Sequence, residues 1–314
     1  MRGLSLKNVV VVGSVNVDIF LKVSRMPRLG ETILGDGFYW HIGGKGANQA
    51  VGVARLDVPV YFVGKVGNDP FQQRIIDQLK REGVNTEFVM QDEKNPSGMA
   101  VILVDKEGRN CITVIGGANR NLSPKDVKEA RKVVLKADIL LLQLEIPLET
   151  VEYALRLARE SGVCTVLNPA PANILNPGIL SNTEILVPNR NEAEKISGVK
   201  ISSLQEAKKA GTLVLGKGVK AVVLTLGEEG ALLLTREKIR HFHGIPVKPL
   251  DTTGAGDSFI AALATALIQG KDLEKAVRYA NHAASLSVTK LGAQASLPRK
   301  EELEDFIAQH PITV

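Results

Sequence analysis

Short, mostly apolar runs recur along the chain at Val9 to Val12, Val60 to Val63, Ile139 to Leu142, Val163 to Leu167, Ile185 to Val187 and Ala221 to Leu224. Between them stand longer stretches whose apolar residues return every three or four positions, at Asn48 to Leu56, Pro70 to Arg81, Leu148 to Arg159 and Leu204 to Leu215. A run too short for a helix reads as a strand buried on both faces, and strands that alternate with amphipathic helices join by crossovers into a parallel sheet. The pattern predicts an α/β core: a central, mainly parallel β-sheet flanked by helices on both faces. From Gly254 onward the periodicity is helical, over Ala262 to Gln269, Leu273 to Thr289 and Glu301 to Gln309.

Two stretches break this rhythm. Val15 to Ile42 alternates polar and apolar residues around Pro27, Gly30, Gly35 and Gly37, and Met99 to Ile115 reads as a hairpin turning at Asp105-Lys106-Glu107-Gly108. Together they predict a small antiparallel β lid, 16–43 with 98–116, standing on a core made of 1–15, 44–97 and 117–314, with a lid face or edge available for a homodimer contact.

Composition narrows the class without changing this outline. The 314 residues are 44% hydrophobic, 23% charged and 4% aromatic, an aliphatic globular balance that argues against disorder. Lys and Arg number 39 against 34 acids, a formal charge of +5 spread without a basic run, which gives no nucleic-acid footprint. The two cysteines, Cys111 and Cys164, have neither disulfide nor zinc spacing, as expected in a reducing compartment. Arg2 and Lys7 precede an apolar run, but Asn16 and Asp18 interrupt it too early for a signal peptide. The longest apolar helix candidate, Ser258 to Gly270, falls short of the roughly 20 residues a bilayer requires. A cytoplasmic chain with no membrane partner is expected.

Chemistry concentrates at Asp251-Thr252-Thr253-Gly254-Ala255-Gly256-Asp257-Ser258-Phe259, ahead of an apolar helical run. Glycines at a helix entry free backbone N–H groups to face an anion, and the helix dipole adds to their pull. Asp257 beside that hole can take a proton from an attacking hydroxyl while the amides hold phosphoryl oxygens. The bland alternative is a Gly-rich turn with Asp257 serving as cap. A second entry, Ile42-Gly43-Gly44-Lys45-Gly46-Ala47-Asn48-Gln49-Ala50, lets a helix start approach a ligand and offers Lys45 and Asn48; it also reads as a hinge. It fits neither the Rossmann nor the Walker pattern. Gly211 to Lys217 has Walker spacing, but Gly218 stands where a hydroxyl residue is required, so an amphipathic helix end explains it. His241 and His243 alternate on a strand without a third ligand and are expected at the surface or beside the lid.

Gly43-Gly44-Lys45-Gly46-Ala47-Asn48-Gln49-Ala50 together with Asp251 to Asp257, and Ser14-Val15-Asn16-Val17-Asp18 before both, resemble the motifs of the ribokinase family of carbohydrate kinases. Leu144-Glu145-Ile146-Pro147, Asn168 to Ala172, Pro188 to Glu192 and Thr225-Leu226-Gly227 follow in the family's order, so the likeness runs from about Val9 to Pro298. It implies transfer of the γ-phosphoryl of ATP to O5 of D-ribose, with a same-fold kinase for 2-deoxyribose, a ketose or a nucleoside as the alternative. A regulator that has lost catalysis is disfavoured because Asp257 and its glycines are present, and a dehydrogenase because no Gly-x-Gly-x-x-Gly turn follows the first strand.

The resemblance also implies roles. Asp257 is the base, the backbone of Ala255, Gly256 and Asp257 forms the anion hole, and Gly254 completes the catalytic set. Asn16, Asp18, Gly44, Lys45, Gly46, Ala47, Asn48 and Glu145 hold the sugar. Asn189, Thr225, Leu226, Gly227, Gly230, Gly256 and Asn281 line the ATP site, and Asn189 with Glu192 organises Mg2+ through water. Asp251, Thr253, Ser287, Lys290, Gly292 and Ser296 surround K+, Lys290 through its backbone carbonyl alone.

Overall fold

The computed structural model describes residues 7–311; Arg2 and the first residues of the expected core lie outside the described residues. Thirteen strands occur there in chain order: β1 (Val9–Val12), β2 (Asn16–Val23), β3 (Gly35–Gly43), β4 (Val60–Gly67), β5 (Asn85–Asp92), β6 (Gly98–Val104), β7 (Asn110–Ile115), β8 (Ile139–Leu142), β9 (Cys164–Leu167), β10 (Ile185–Leu186), β11 (Ala221–Thr225), β12 (Ala231–Thr235) and β13 (Ile239–Phe242). Nine of them form one sheet in the order β13-β12-β11-β10-β9-β8-β1-β4-β5.

From β5 through β11 all neighbours are parallel, as the buried apolar runs predict. Every residue of β1 is fully buried. Val9 and Val11 pack with the helices Lys45–Arg55 and Ala255–Ile268, while Val10 and Val12 pack with Leu148–Glu160 and Leu204–Leu215. Successive side chains on a strand point to opposite faces, so one unbroken valine run serves two helical layers. Each buried valine contributes about 1.5 to 3 kcal/mol of transfer free energy.

β12 and β13 run antiparallel at the edge. The link from β11 to β12, Leu226 to Gly230, is too short for a crossover helix, so the chain can only double back. His241 and His243 are therefore on and just after an edge strand of the large sheet, their rings 4.4 Å apart, and not beside the small sheet.

The remaining strands form a second sheet, β3-β2-β6-β7. β2 with β3 and β6 with β7 are antiparallel, as expected of the small sheet, and the two hairpins join through a parallel central pair, β2 with β6. β2 follows β1 and β6 follows β5, so both leave the large sheet in the same direction, with Asn16 opposite Gly98, and each returns through its own antiparallel partner. No helix among the described residues is long and apolar enough to cross a membrane.

Candidate active site

β1 lies between β4 and β8: the chain first winds outward to β5, then resumes on the other side at β8. Loops leaving the carboxyl ends of such strands diverge and open a crevice. The segments that leave β1, β8, β9, β10 and β11 there begin at Gly13, Gln143, Asn168, Val187 and Leu226, so each contributes one of the motifs read from the sequence.

Asp257 stands in the first turn of the helix Ala255–Ile268, after Gly254, whose φ of 83° is left-handed. A β-carbon at Gly254 would also come within 2.8 Å of the Ala293 carbonyl oxygen, so glycine serves both backbone shape and close approach. First-turn amides have no carbonyl one turn back. Ala255 N–H donates to Thr252 O at 3.3 Å, which leaves those of Gly256 and Asp257 to face the crevice entry. The helix starts at Ala255, earlier than its periodicity indicates, because glycine and aspartate carry no apolar signal.

The Asp257 side chain is 6% exposed, and both oxygens are held by neutral amides from consecutive residues of another helix. Asn48 Nδ2 donates to Oδ2 and Gln49 Nε2 to Oδ1, each at 3.0 Å. Burial raises the carboxyl above the usual range, against the pull of Lys45 and the two amides. Asn48 Oδ1 is buried without a partner.

The helix Lys45–Arg55 is seated directly on the loop after β1. Ala47 N–H donates to Ser14 O at 2.9 Å, and a β-carbon at Gly46 would lie 2.7 Å from Gly13 C and Ser14 N. Ser14 Oγ donates to Glu145 Oε2 at 2.6 Å, and Lys45 N–H donates to the same oxygen at 3.1 Å. Burial works against the Lys45 ammonium, but Asp257, Glu145 and Glu192 together raise its pKa. Asp18, half-buried beneath Gly43, is pushed up to about 7 by burial and then by the negative charges of Glu145 and Asp257. Asn16 is buried, its Oδ1 accepting from Asn119 Nδ2 at 2.8 Å. Thus Asn16, Asp18, Gly44, Lys45, Gly46, Ala47, Asn48, Glu145 and Asp257 come together from four separate stretches.

Further along, Asn189 caps the helix Arg190–Ser197 in a reciprocal box: Glu192 N–H donates to Asn189 Oδ1 at 2.9 Å, and Asn189 N–H and Nδ2 each donate to the Glu192 carboxylate at 2.8 Å. Glu192 is buried and its pKa raised by that burial. Asn189 bridges Thr225, and Leu226 N–H donates to Gly230 O at 2.7 Å, so the Thr225 to Gly230 turn lies beside it. Asn281, buried on the helix Leu273–Ser287, donates to Phe242 O and His243 O at 3.4 Å.

Asp251 ties two distant segments together. Its Oδ1 accepts from Thr253 N–H and its Oδ2 from Gly292 N–H, each at 2.9 Å, while Leu250 N–H donates to Val288 O at 2.7 Å. Ser287 and Ser296 are fully buried, and Lys290 Nζ pairs with Glu302 at 2.8 Å.

Four contributors had no assigned role from sequence: Ser14, Gln49, Gln143 and Asn119. Ser14 and Gln49 lie inside the motifs, and Gln143 stands directly after an apolar strand, a polar residue where burial is predicted. Asn119, in the turn Gly117–Asn121, has no local signal. A cleft of about 520 Å³ runs from Asp18 past Trp40, Arg74 and Arg81 to Gln294. Another, about 470 Å³, lies at the opposite end of the sheet between Lys7, Asp138, Cys164 and Lys220 and touches none of these residues.

The family model described as pfkB family carbohydrate kinase matches residues 6–300. The ribokinase of Haemophilus influenzae is 39% identical over 301 residues, covering 96% of this chain and 98% of that protein. The deoxyribokinase of Salmonella typhimurium is 36% identical over 302 residues, covering 96% and 99%. The solved structure of Arabidopsis thaliana ribokinase complexed with ribose and ATP has a TM-score of 0.90 at 34% identity, covering 96% of this chain and 99% of that one. A glycine-led helix entry bearing a buried carboxylate, set in this sheet and matched over nearly its whole length, identifies the chain as a member of the pfkB family of carbohydrate kinases.

Proposed function

We infer that this kinase transfers the γ-phosphoryl of ATP to O5 of D-ribose, giving D-ribose 5-phosphate and ADP. The observation that carries this reading is the convergence on Asp257 of polar groups suited to vicinal hydroxyls, in a chain whose relatives include ribokinases. Asp257 accepts the O5 proton, and the free first-turn amides of Gly256 and Asp257 stabilise charge on the phosphoryl group as it moves. Asn16, Asp18, Lys45, Asn48 and Glu145 orient the sugar; the unpartnered Asn48 Oδ1 is free to accept a hydrogen bond from a sugar hydroxyl. Thr225, Gly227, Gly230 and Asn281 follow the nucleotide. The four-stranded sheet closes as a lid and excludes water. 2-Deoxyribose is the competing acceptor, because a deoxyribokinase is nearly as similar as the ribokinases. Coupled ADP release across ribose, 2-deoxyribose, fructose and nucleosides tests the reading; a preference for any acceptor over ribose overturns it.

Magnesium suits the donor set. Glu145, Glu192 and Asp257 act on one ammonium, that of Lys45, and Asp18 stands near Glu145 and Asp257, so the site is rich in carboxyl groups. Both Glu192 oxygens already accept from Asn189, and among the described residues no three acidic or imidazole side chains converge as a metal cage. Asn189 and Glu192 would hold a hydrated ion through water, where it would neutralise phosphate charge.

A monovalent cation fits the segments tied by Asp251. The bonds from Gly292 N–H to Asp251 and from Leu250 N–H to Val288 O bring the segment that carries Ser287, Gly292 and Ser296 against the one that carries Asp251 and Thr253, and Lys290 Nζ is taken up by Glu302, which leaves its carbonyl as the oxygen it can offer. A large, weakly hydrated cation suits such ligands. Potassium is expected to raise kcat several-fold by ordering the turn that presents Gly254 and Asp257. Equal activity in sodium or tetramethylammonium at constant ionic strength counts against this.

One face of the small sheet carries Phe20, Tyr39, Ile102 and Ile112 in register across its strands; Ile102 is buried among its neighbours, while Tyr39, Ile112 and nearby Val114 are exposed, the last two by 56% and 54%. This area favours a homodimer formed lid to lid. Light scattering at micromolar concentration is expected to give the mass of two chains, and Ile112→Asp that of one. A monomeric wild type would exclude the pairing.

A further inference from the structure

The groups behind Asp257 are a chain of carboxamides. Gln49, fully buried, gives its Nε2 to Asp257 Oδ1 at 3.0 Å, and its Oε1 accepts from Gln143 Nε2 at 2.5 Å. That second bond fixes which end of the Gln49 amide faces the carboxylate, since only the NH2 end can donate. Gln143 is also fully buried and stands just past the end of β8, where its Oε1 occupies the space that a β-carbon on Gly13 would need. Asn168 Oδ1, 3.5 Å from Gln49 Nε2, closes the other side, and its own Nδ2 donates to Val187 O at 3.1 Å. These amides cannot ionise, so they hold the carboxylate without competing for its proton.

We propose that Gln49, oriented by Gln143, is a positioning residue for phosphoryl transfer: it fixes Asp257 Oδ1 and leaves Oδ2, on the Asn48 side, as the oxygen that meets the sugar hydroxyl. The inference rests on Asp257 acting as the base in the proposed reaction. Asn48 carries the free amide oxygen expected to contact sugar, so Oδ2 is the oxygen nearer substrate. A donor to the ionised form also keeps a buried carboxylate available as a base.

The charges facing Asp257 are Lys45 from its helix, Asp18 from β2, Glu145 after β8 and Glu192 from the helix Arg190–Ser197. Gln49→Met leaves all of them in place and removes only the donor. Asp257 then holds its proton to higher pH, so the acid limb of the kcat profile should move upward by about one pH unit, with the KM for ATP unchanged. Gln143→Met frees the Gln49 amide to turn and should move the limb the same way by a smaller amount; it serves as the decisive variant if Gln49→Met does not fold. A limb that stays in place in the folded variant overturns the proposal, whatever kcat does. Wild-type enzyme without ribose phosphorylation would instead refute the proposed function, a separate result visible in the first measurement.

Discussion

Asp257→Asn is expected to lower kcat for ribose phosphorylation by about 100-fold or more while ATP still binds, the usual scale for losing a general base. The same change should leave thermal stability at pH 8 equal to or above that of the wild type. Burial raises the folded-state pKa of Asp257, so the stability this residue lends is full below the ordinary carboxylate range and is lost as pH rises through the raised value. Asparagine does not ionise and keeps that stability. Its new NH2 would face donors on both sides, but Asn48 Oδ1 lacks a partner, so the Asn48 amide can turn and accept. Activity and stability thus move in opposite senses, as at sites that keep a buried charge for chemistry. Near-normal kcat in the variant removes Asp257 from its role; a large fall in Tm at pH 8 contradicts the electrostatic account.

Two glycine substitutions should separate fold from chemistry. At Gly46 a methyl group would stand 2.7 Å from Gly13 C and Ser14 N, backbone atoms that cannot swing aside. Gly46→Ala should cost about 1 to 3 kcal/mol through overpacking and lower Tm by several degrees. It should also displace Asn48 and Gln49, with a loss in kcat of about 100-fold, the scale of a 1 Å misplacement. At Gly256 an added methyl group would meet no protein atom within 4 Å, and the residue is helical. Gly256→Ala should therefore hold or raise stability, by up to the usual helix gain of about 0.5 to 1 kcal/mol, yet still reduce kcat because the methyl enters the space meant for phosphoryl oxygens. Calorimetry and initial rates on both variants check this; a destabilised Gly256→Ala or a fully active Gly46→Ala would contradict it.

Much of this molecule is written locally. The wholly buried valines of β1 and the apolar runs of β4, β8, β9 and β11 signal a two-sided sheet because burial on both faces leaves no polar alternation. Glycines ahead of Asp257 and Lys45 mark helix entries open to ligand, because a backbone that must take φ of 83° or approach another chain segment excludes a side chain. The hairpin at Asp105 to Gly108 is equally local, its turn residues lying between alternating strands.

Other features were decided only by the tertiary structure. The parallel junction of β2 with β6 depends on two strands of the large sheet releasing the chain side by side, a relation between residues about 80 apart that no periodicity encodes. The Asn189 and Glu192 spacing reads as a helix cap or as an ion site; the reciprocal hydrogen bonds form the cap, and the buried carboxylate still feels Lys45. Gln49 and Gln143 look like ordinary polar residues along the chain. What sets them apart is that folding strips both of water and leaves each other and Asp257 as partners, since a buried amide must find its hydrogen bonds within reach. Local sequence determined which segments are buried and where helices open toward a ligand; the tertiary structure decided which distant polar groups meet, because hydrogen bonds depend on proximity in space.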